Sequence, residues 1–288
     1  MKPAPFTYHA PATVADVAAL LAQHGDDAKA LAGGQSLIPM LSLRLARFEH
    51  LVDLNRVAEL QGITRNNGTV SIGAVTRQAE VGRSSDIAEA VPLLAKATPL
   101  IGHFQIRNRG TLGGSIAHAD PASEYPAVAI ALRANMVAAG PTGRRTISAD
   151  DFFTGTWSTS LADDEILAEV QYATKTARSG YAIEEIARRH GDFALAGIAA
   201  AVEVDEAGKV TKAGIGMFGL GPKTLRAASA EAALLAGTTD LTEVGRIAMA
   251  DDADPGDDVH ASGAYRRRIG AHLVTKALTA ALQEARNG

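Results

Sequence analysis

The sequence predicts an α+β protein in two domains, on three observations. Strand-like and helical runs alternate over the first 57 residues. Hairpin-type turn signals, Asn66-Asn67-Gly68 and Pro141-Thr142-Gly143, divide strand-like runs in the middle of the chain. A polar, featureless stretch, Lys175 to Gly180, then interrupts the apolar patterning before a fresh set of strands and helices. A length of 288 residues suits two domains, and 47% apolar content can build their cores. The expected division is a first domain over 1–175, with subdomains of about 1–57 and 58–175, and a second domain over 178–288.

In chain order, "FTYHAP" reads as a short strand. "TVADVAALLAQHG" reads as a helix, with Thr13 as N-cap and Gly25 as its stop. "AKALAGG" is a short strand ending in glycines. "SLIPMLSLRLA" starts a helix capped by Ser36, with Pro39 in its first turn, and "HLVDLNRV" is a buried strand. "TRQAEVGRSSDIAEAVPLLAKATPLIG" is helical with a proline break. "IRNRGTLGGSIAHADPASEYPAVAIALRA" passes from glycine-rich to polar to helical. "NMVAAGPTGRRTISADDFF" and "DEILAEVQYA" supply further strands. Beyond the break, "GYAIEEIAR" and "FALAGIAAAVEVDEAGKVTKAGIGMFG" are strands, and "TLRAASAEAALLAG" and "GAYRRRIGAHLVTKALTAALQEA" are helices.

Composition narrows the chemistry. A net charge of −4 without a long basic tract argues against nucleic acid as a partner. Arg266 to Arg268, the densest basic run, reads as a solvated helix face. The absence of cysteine excludes disulfides, cysteine nucleophiles and thiolate-held zinc or iron–sulfur centres in this chain, and fits a cytoplasmic location. The N-terminal residues do not read as a signal peptide, and no apolar run approaches a transmembrane segment.

Two glycine segments stand out. Gly33-Gly34-Gln35-Ser36 and Gly113-Gly114-Ser115 each place a glycine pair after an apolar residue and before a small polar one. Glycine lets main-chain N–H groups approach a ligand, and consecutive N–H groups can form an anion-binding nest. On residues alone, the two segments are either ordinary turns or two walls of one pyrophosphate site. "GIGMFG", at Gly214, Gly216 and Gly219, has the spacing of a dinucleotide fingerprint, but Pro222 follows where a helix should open. It reads as a glycine-containing strand with its exit turn. His118 and Asp120 lack a third ligand, so no metal is expected on this chain. His190 and Asp192 read as loop residues, and Trp157 as packing between lobes. No serine-hydrolase elbow or P-loop is present.

Together, "AGGQSLIPMLSLRLA", "LVDLNRV", "IGAVTR", "QIRNRGTLGGSIAHADPASEYPA", "DEIL" and "RRHGDFALAG" resemble the FAD-binding medium subunit of the molybdenum hydroxylases. That family includes aerobic-type carbon monoxide dehydrogenase, dehydrogenases of N-heteroaromatic compounds, and an equivalent domain of xanthine dehydrogenase. The likeness runs in order along nearly the whole chain. It implies a vanillyl-alcohol-oxidase/PCMH-type FAD-binding domain of two α+β subdomains, followed by a small α+β C-terminal domain.

The resemblance also implies a site. Ala32, Gly33, Gly34, Gln35, Ser36 and Leu37 would wrap the FAD pyrophosphate, with Lys29 near the same edge. Thr111, Gly113, Gly114 and Ser115 would form the second wall. Ile101 and Leu167 match apolar neighbours of the cofactor, and Asp120 and Glu124 match polar ones. Asp192 and Phe193 match a loop over the flavin ring. No side chain is assigned a catalytic role, because the redox chemistry belongs to the cofactor. The implied function is an oxidoreductase's electron-transfer subunit, carrying electrons from [2Fe–2S] clusters to an external acceptor. The implied partners are a small iron–sulfur subunit and a large molybdopterin subunit, in a dimer of heterotrimers. The complex would be cytoplasmic, at most peripheral to the inner face of the membrane. Its substrate, oxidised on another subunit, would be carbon monoxide or an N-heteroaromatic or aldehyde compound. Gln35 stands where carbon monoxide dehydrogenases often carry His, which favours the heteroaromatic side. Zero cysteines argue against the benzoyl-CoA-reductase branch, whose medium subunits hold an extra cluster. The alternatives are a stand-alone flavin oxidoreductase and a non-catalytic assembly subunit.

Overall fold

A computed structural model describes residues 2–287. The chain opens with β1 (Thr7–His9), α1 (Val14–His24), β2 (Ala28–Leu31), α2 (Leu37–Ser42) and β3 (His50–Asp53). The strands form a parallel sheet in the order β1-β3-β2. Thr13 caps α1, its hydroxyl accepting from the Asp16 N–H at 3.1 Å, and Gly25 leaves the helix at φ 50°. Val17, Ala18 and Leu21 are buried on one face of α1, and Val17 and Leu21 share a core with Val52, Leu54, Val57 and Leu60. Ser36 departs from the sequence expectation. It precedes α2, but its hydroxyl makes no capping bond.

The middle of the chain builds an antiparallel sheet in the order β4-β5-β10-β6-β7. Its strands are β4 (Ile63–Asn66), β5 (Thr69–Gly73), β6 (Asn135–Gly140), β7 (Gly143–Ser148) and β10 (Ile166–Ala173). Asn67 and Gly68 both take positive φ, 46° and 81°, as a tight two-residue hairpin turn requires. Between β5 and β6 the chain runs through α3 (Gln78–Val81), α4 (Ser85–Ala90), α5 (Pro92–Ala97), α6 (Phe104–Arg107), α7 (Leu112–His118) and α8 (Glu124–Ala131). Every residue of α8 is buried, because the C-terminal sheet covers one side of it and α5, α7 and the short helix α9 (Ala149–Phe152) pack around the rest. Helix α9 and the ladder β8 (Phe153–Gly155) and β9 (Ser158–Thr159) lead into β10.

The C-terminal part is a four-stranded antiparallel sheet of β11 (Ser179–Ile186), β12 (Ala196–Val204), β13 (Val210–Phe218) and β14 (Leu225–Arg226), with α10 (Ala228–Leu235), α11 (Leu241–Ile247) and α12 (Gly263–Asn287). Glycines set how closely its faces are covered. A Cβ on Gly214 or Gly216 would lie 1.9 or 2.1 Å from the carbonyl oxygen of Ala131 or Ala127, so α8 rests directly on β13. A Cβ on Gly180 would lie 1.9 Å from the Ala281 carbonyl oxygen, so α12 sits as closely on β11. Gly214 and Gly216 therefore belong to a strand interior, with no helix opening there.

Arg266 and Arg267 overturn the solvated-face reading. Arg266 is buried, donating to the carbonyls of Leu195 and Gly219 and to Asp258, and Arg267 donates to the carbonyls of Met249 and Ala253. These acceptors end strands or line loops distant in sequence, so local patterning held no sign of them. No helix among the described residues is long and apolar enough to cross a membrane.

Candidate functional site

The segment after β2 has the open backbone that a phosphate group needs. Gly34 turns it at φ 72°. Among the described residues, the N–H groups of Gly33, Gly34, Gln35, Ser36 and Leu37 have no protein acceptor. Five unpaired donors in a row make a concave donor surface for an anion. The Ser36 hydroxyl, free of capping, lies beside them.

This loop is pressed against the second glycine segment. A Cβ on Gly33 would fall 2.4 Å from the Arg109 carbonyl oxygen, and one on Gly114 would fall 3.3 Å from the Ala32 Cβ. A polar buckle holds the pair. Asn55 donates to the Ala32 carbonyl at 2.9 Å, Arg77 donates to Asn55 Oδ1 at 2.6 Å, and Arg77 also donates to the Arg109 carbonyl. Asp53 in turn accepts from the Asn55 N–H at 2.8 Å. Asn55 and Arg77 lie in the "LVDLNRV" and "IGAVTR" segments, but no sequence periodicity shows that they meet.

The second wall is built differently. Thr111 caps α7 through the Gly114 N–H at 3.0 Å. The N–H groups of Leu112, Gly113 and Ser115 donate to Thr76, Ala74 and Thr111. Its donors are thus already paired, and Thr111 and Gly113 are buried, Gly113 against Ala74, which leaves Gly114 and Ser115 as the part-exposed members of this wall.

α7 ends at Ala119, in the left-handed region at φ 53°, and turns the chain into Asp120. Asp120 accepts from the Ala122 N–H at 2.9 Å and the Trp157 indole at 3.2 Å. Trp157 is 60% exposed and stacks on His118, so it covers this corner rather than packing between lobes. Glu124 opens α8 and is buried; burial, with Glu185 and Asp120 adding negative charge, pushes its carboxyl up to about 8. Burial also raises Glu185 to about 7, and its Oε2 has no partner among the described residues. At neutral pH Glu124 therefore keeps its proton and can donate a hydrogen bond.

Ile101 lies at the edge of the core that holds Leu112, Ile116 and Tyr125, before the turn at Gly102. Asp192 and Phe193 follow Gly191, which abuts the His103 ring; Phe193 is exposed. Lys29 is exposed on β2, over the Phe48 ring. Leu167 lies inside the core on β10 at 3% exposure, which limits any contact with a ligand.

Residues 4–172 match the family described as the FAD binding domain in molybdopterin dehydrogenase, and residues 181–281 match the CO dehydrogenase flavoprotein C-terminal domain. The chain belongs to this flavoprotein family. It is similar to the carbon monoxide dehydrogenase medium chain of Hydrogenophaga pseudoflava, at 40% identity over 283 residues, 98% of each chain. It is also 40% identical over 288 residues to the 6-hydroxypseudooxynicotine dehydrogenase complex subunit alpha of Paenarthrobacter nicotinovorans, covering 99% of this chain and 97% of the other. Among solved structures, a Hydrogenophaga pseudoflava carbon monoxide dehydrogenase lacking the Mo-pyranopterin moiety superposes with a TM-score of 0.96 at 42% identity, over 99% of both chains. The chain is thus an FAD-binding medium subunit of the molybdenum hydroxylase type, and its open glycine cradle fits that cofactor.

Proposed function

We propose that this chain is the electron-transfer subunit of a heterotrimeric molybdenum hydroxylase, with the open N–H run from Gly33 to Leu37 as its pyrophosphate site. That run carries the reading, because five adjacent unpaired donors serve an anion and otherwise sit idle. Bound FAD supplies the change between one-electron and two-electron chemistry. The chain's residues hold and orient it. Gly33, Gly34, Gln35, Ser36 and Leu37 present donors, with Ala32 at the loop's base. Thr111, Gly113, Gly114 and Ser115 close the other side, and the Asn55–Arg77 buckle fixes the gap between the walls. Glu124 offers a proton donor at neutral pH, and Asp120 and Trp157 restrict one approach. Ile101, Phe193 and Asp192 line the far side, with Lys29 and Leu167 at the margins.

The partners in this reading are a small subunit with [2Fe–2S] clusters and a large molybdopterin subunit, in a dimer of heterotrimers in the cytoplasm. The substrate, oxidised on the large subunit, is carbon monoxide or an N-heteroaromatic or aldehyde compound. Relatives named for carbon monoxide and for a nicotine derivative stand at equal identity, which supports the class without choosing within it. The test is to purify the untagged chain, take its visible spectrum and identify the released cofactor. The expected result is a yellow protein releasing FAD, and folded but colourless Gly34→Val and Gly114→Val variants. A chain that stays colourless with added FAD, or variants as yellow as wild type, would overturn the site. Co-expression with candidate small and large subunits tests the assembly by co-purification.

A further inference from the structure

The first subdomain gathers three histidines that the cofactor site leaves unused. His9 ends β1, His24 ends α1 and His50 begins β3. One ring nitrogen from each lies within 4.8 Å of the other two. His9 Nε2 and His50 Nδ1 are 3.0 Å apart, and the His24 and His50 rings stack with centroids 3.6 Å apart. All three are half-buried.

Backbone packing holds the trio. β1 and β3 pair in parallel, with Thr7 opposite His50 and His9 opposite Val52. Leu51 and Val52 anchor β3, and Val17, Ala18 and Leu21 anchor α1.

We propose that His9, His24 and His50 form a site for one divalent transition-metal ion of the zinc class, with a fourth position open to solvent. Zinc–nitrogen bonds of about 2.0–2.1 Å place tetrahedral ligand atoms about 3.3 Å apart, which small ring rotations achieve once the His9–His50 hydrogen bond gives way. Three imidazoles with no carboxylate among them suit zinc, copper or nickel, and disfavour calcium and magnesium. The ion would clip the three-residue edge strand β1 to the end of α1 and to β3. It is separate from the cofactor cradle: β3 leads from His50 toward Asn55, roughly 15 Å away at strand spacing.

The test uses the untagged full chain, stripped by chelator and titrated with cobalt(II) and then zinc(II). One equivalent of cobalt should produce the intense visible bands of a four-coordinate site, beyond the flavin absorption, and zinc should displace it and raise the melting temperature. His24→Asn and His50→Ala should each weaken binding by about tenfold or more, while His103→Ala, in the other stacked histidine pair, should leave it unchanged. Far-UV circular dichroism checks folding, and His9→Gln, on the edge strand, replaces any variant that misfolds. A cobalt spectrum that stays six-coordinate, or histidine variants that bind as tightly as wild type, would overturn the site and leave a hydrogen-bonded, stacked trio.

Discussion

Gly33 has no room for a methyl group. A Cβ there meets the Arg109 carbonyl oxygen at 2.4 Å, backbone that cannot swing aside. Gly33→Ala should therefore force the glycine walls apart, and fluorescence titration with FAD should show affinity falling by about tenfold or more. Arg77 reaches two acceptors on two loops with one planar group. Arg77→Lys keeps the charge but cannot make both bonds, so it should restore little of the FAD affinity lost in Arg77→Ala. Glu124 gives a pH signature. An unfolded carboxyl loses its proton near 4.5, whereas the folded one holds it to about 8. Between those values the folded state binds more protons, so stability from this residue is greatest at low pH and falls as pH rises toward about 8. Glu124→Gln should flatten that decline, and melting curves across the range would read it. The glycine pairs were legible in the sequence because they are local. The buckle was not, because Asn55 and Arg77 act through carbonyls that only the fold brings near.

Single elements read well wherever the signal was local. Thr13 and Gly25 bound α1 where capping chemistry puts them, and Asn67-Gly68 turns β4 into β5. Ser36 resembled Thr13 in sequence, yet its hydroxyl caps nothing, since its own backbone is already helical where that of Thr13 is extended, as a capping residue's must be. The basic run in α12 was misread because a helical pattern does not reveal which carbonyls will face an arginine. The histidine trio escaped because its members lie on β1, α1 and β3, and only the fold brings those three ends together. Gly216 tests what the "GIGMFG" segment does. Its α-carbon faces the Ala127 carbonyl, so Gly216→Ala should destabilise by about 1–3 kcal/mol or more in urea unfolding. FAD binding should persist in whatever fraction remains folded; loss of FAD from a fully stable variant would restore the dinucleotide reading.

Across the whole molecule, Glu231 ties the two family-matched regions together. It is 2% exposed and accepts from the Ile215 N–H, from Arg226 and from Arg133, which follows α8. Glu231→Gln keeps the shape but removes the charge, and should lower stability by about 1.5–3 kcal/mol in denaturant titration. The core around Leu112 and Tyr125 likewise spans the halves, taking in Tyr181 and Phe218. That α8 lies on β13 with carbonyls seated over two glycines separated by one residue has a mechanical meaning. On that face of β13 the next positions are Lys212 and Phe218, since Ala213, Ile215 and Met217 point to the opposite side, so sliding the helix by one seat, two strand residues, would drive a carbonyl into a side-chain-bearing carbon. The joint is keyed: it admits one indexed position and no neighbouring one, which makes the two halves a fixed jig rather than a pair of hinged plates.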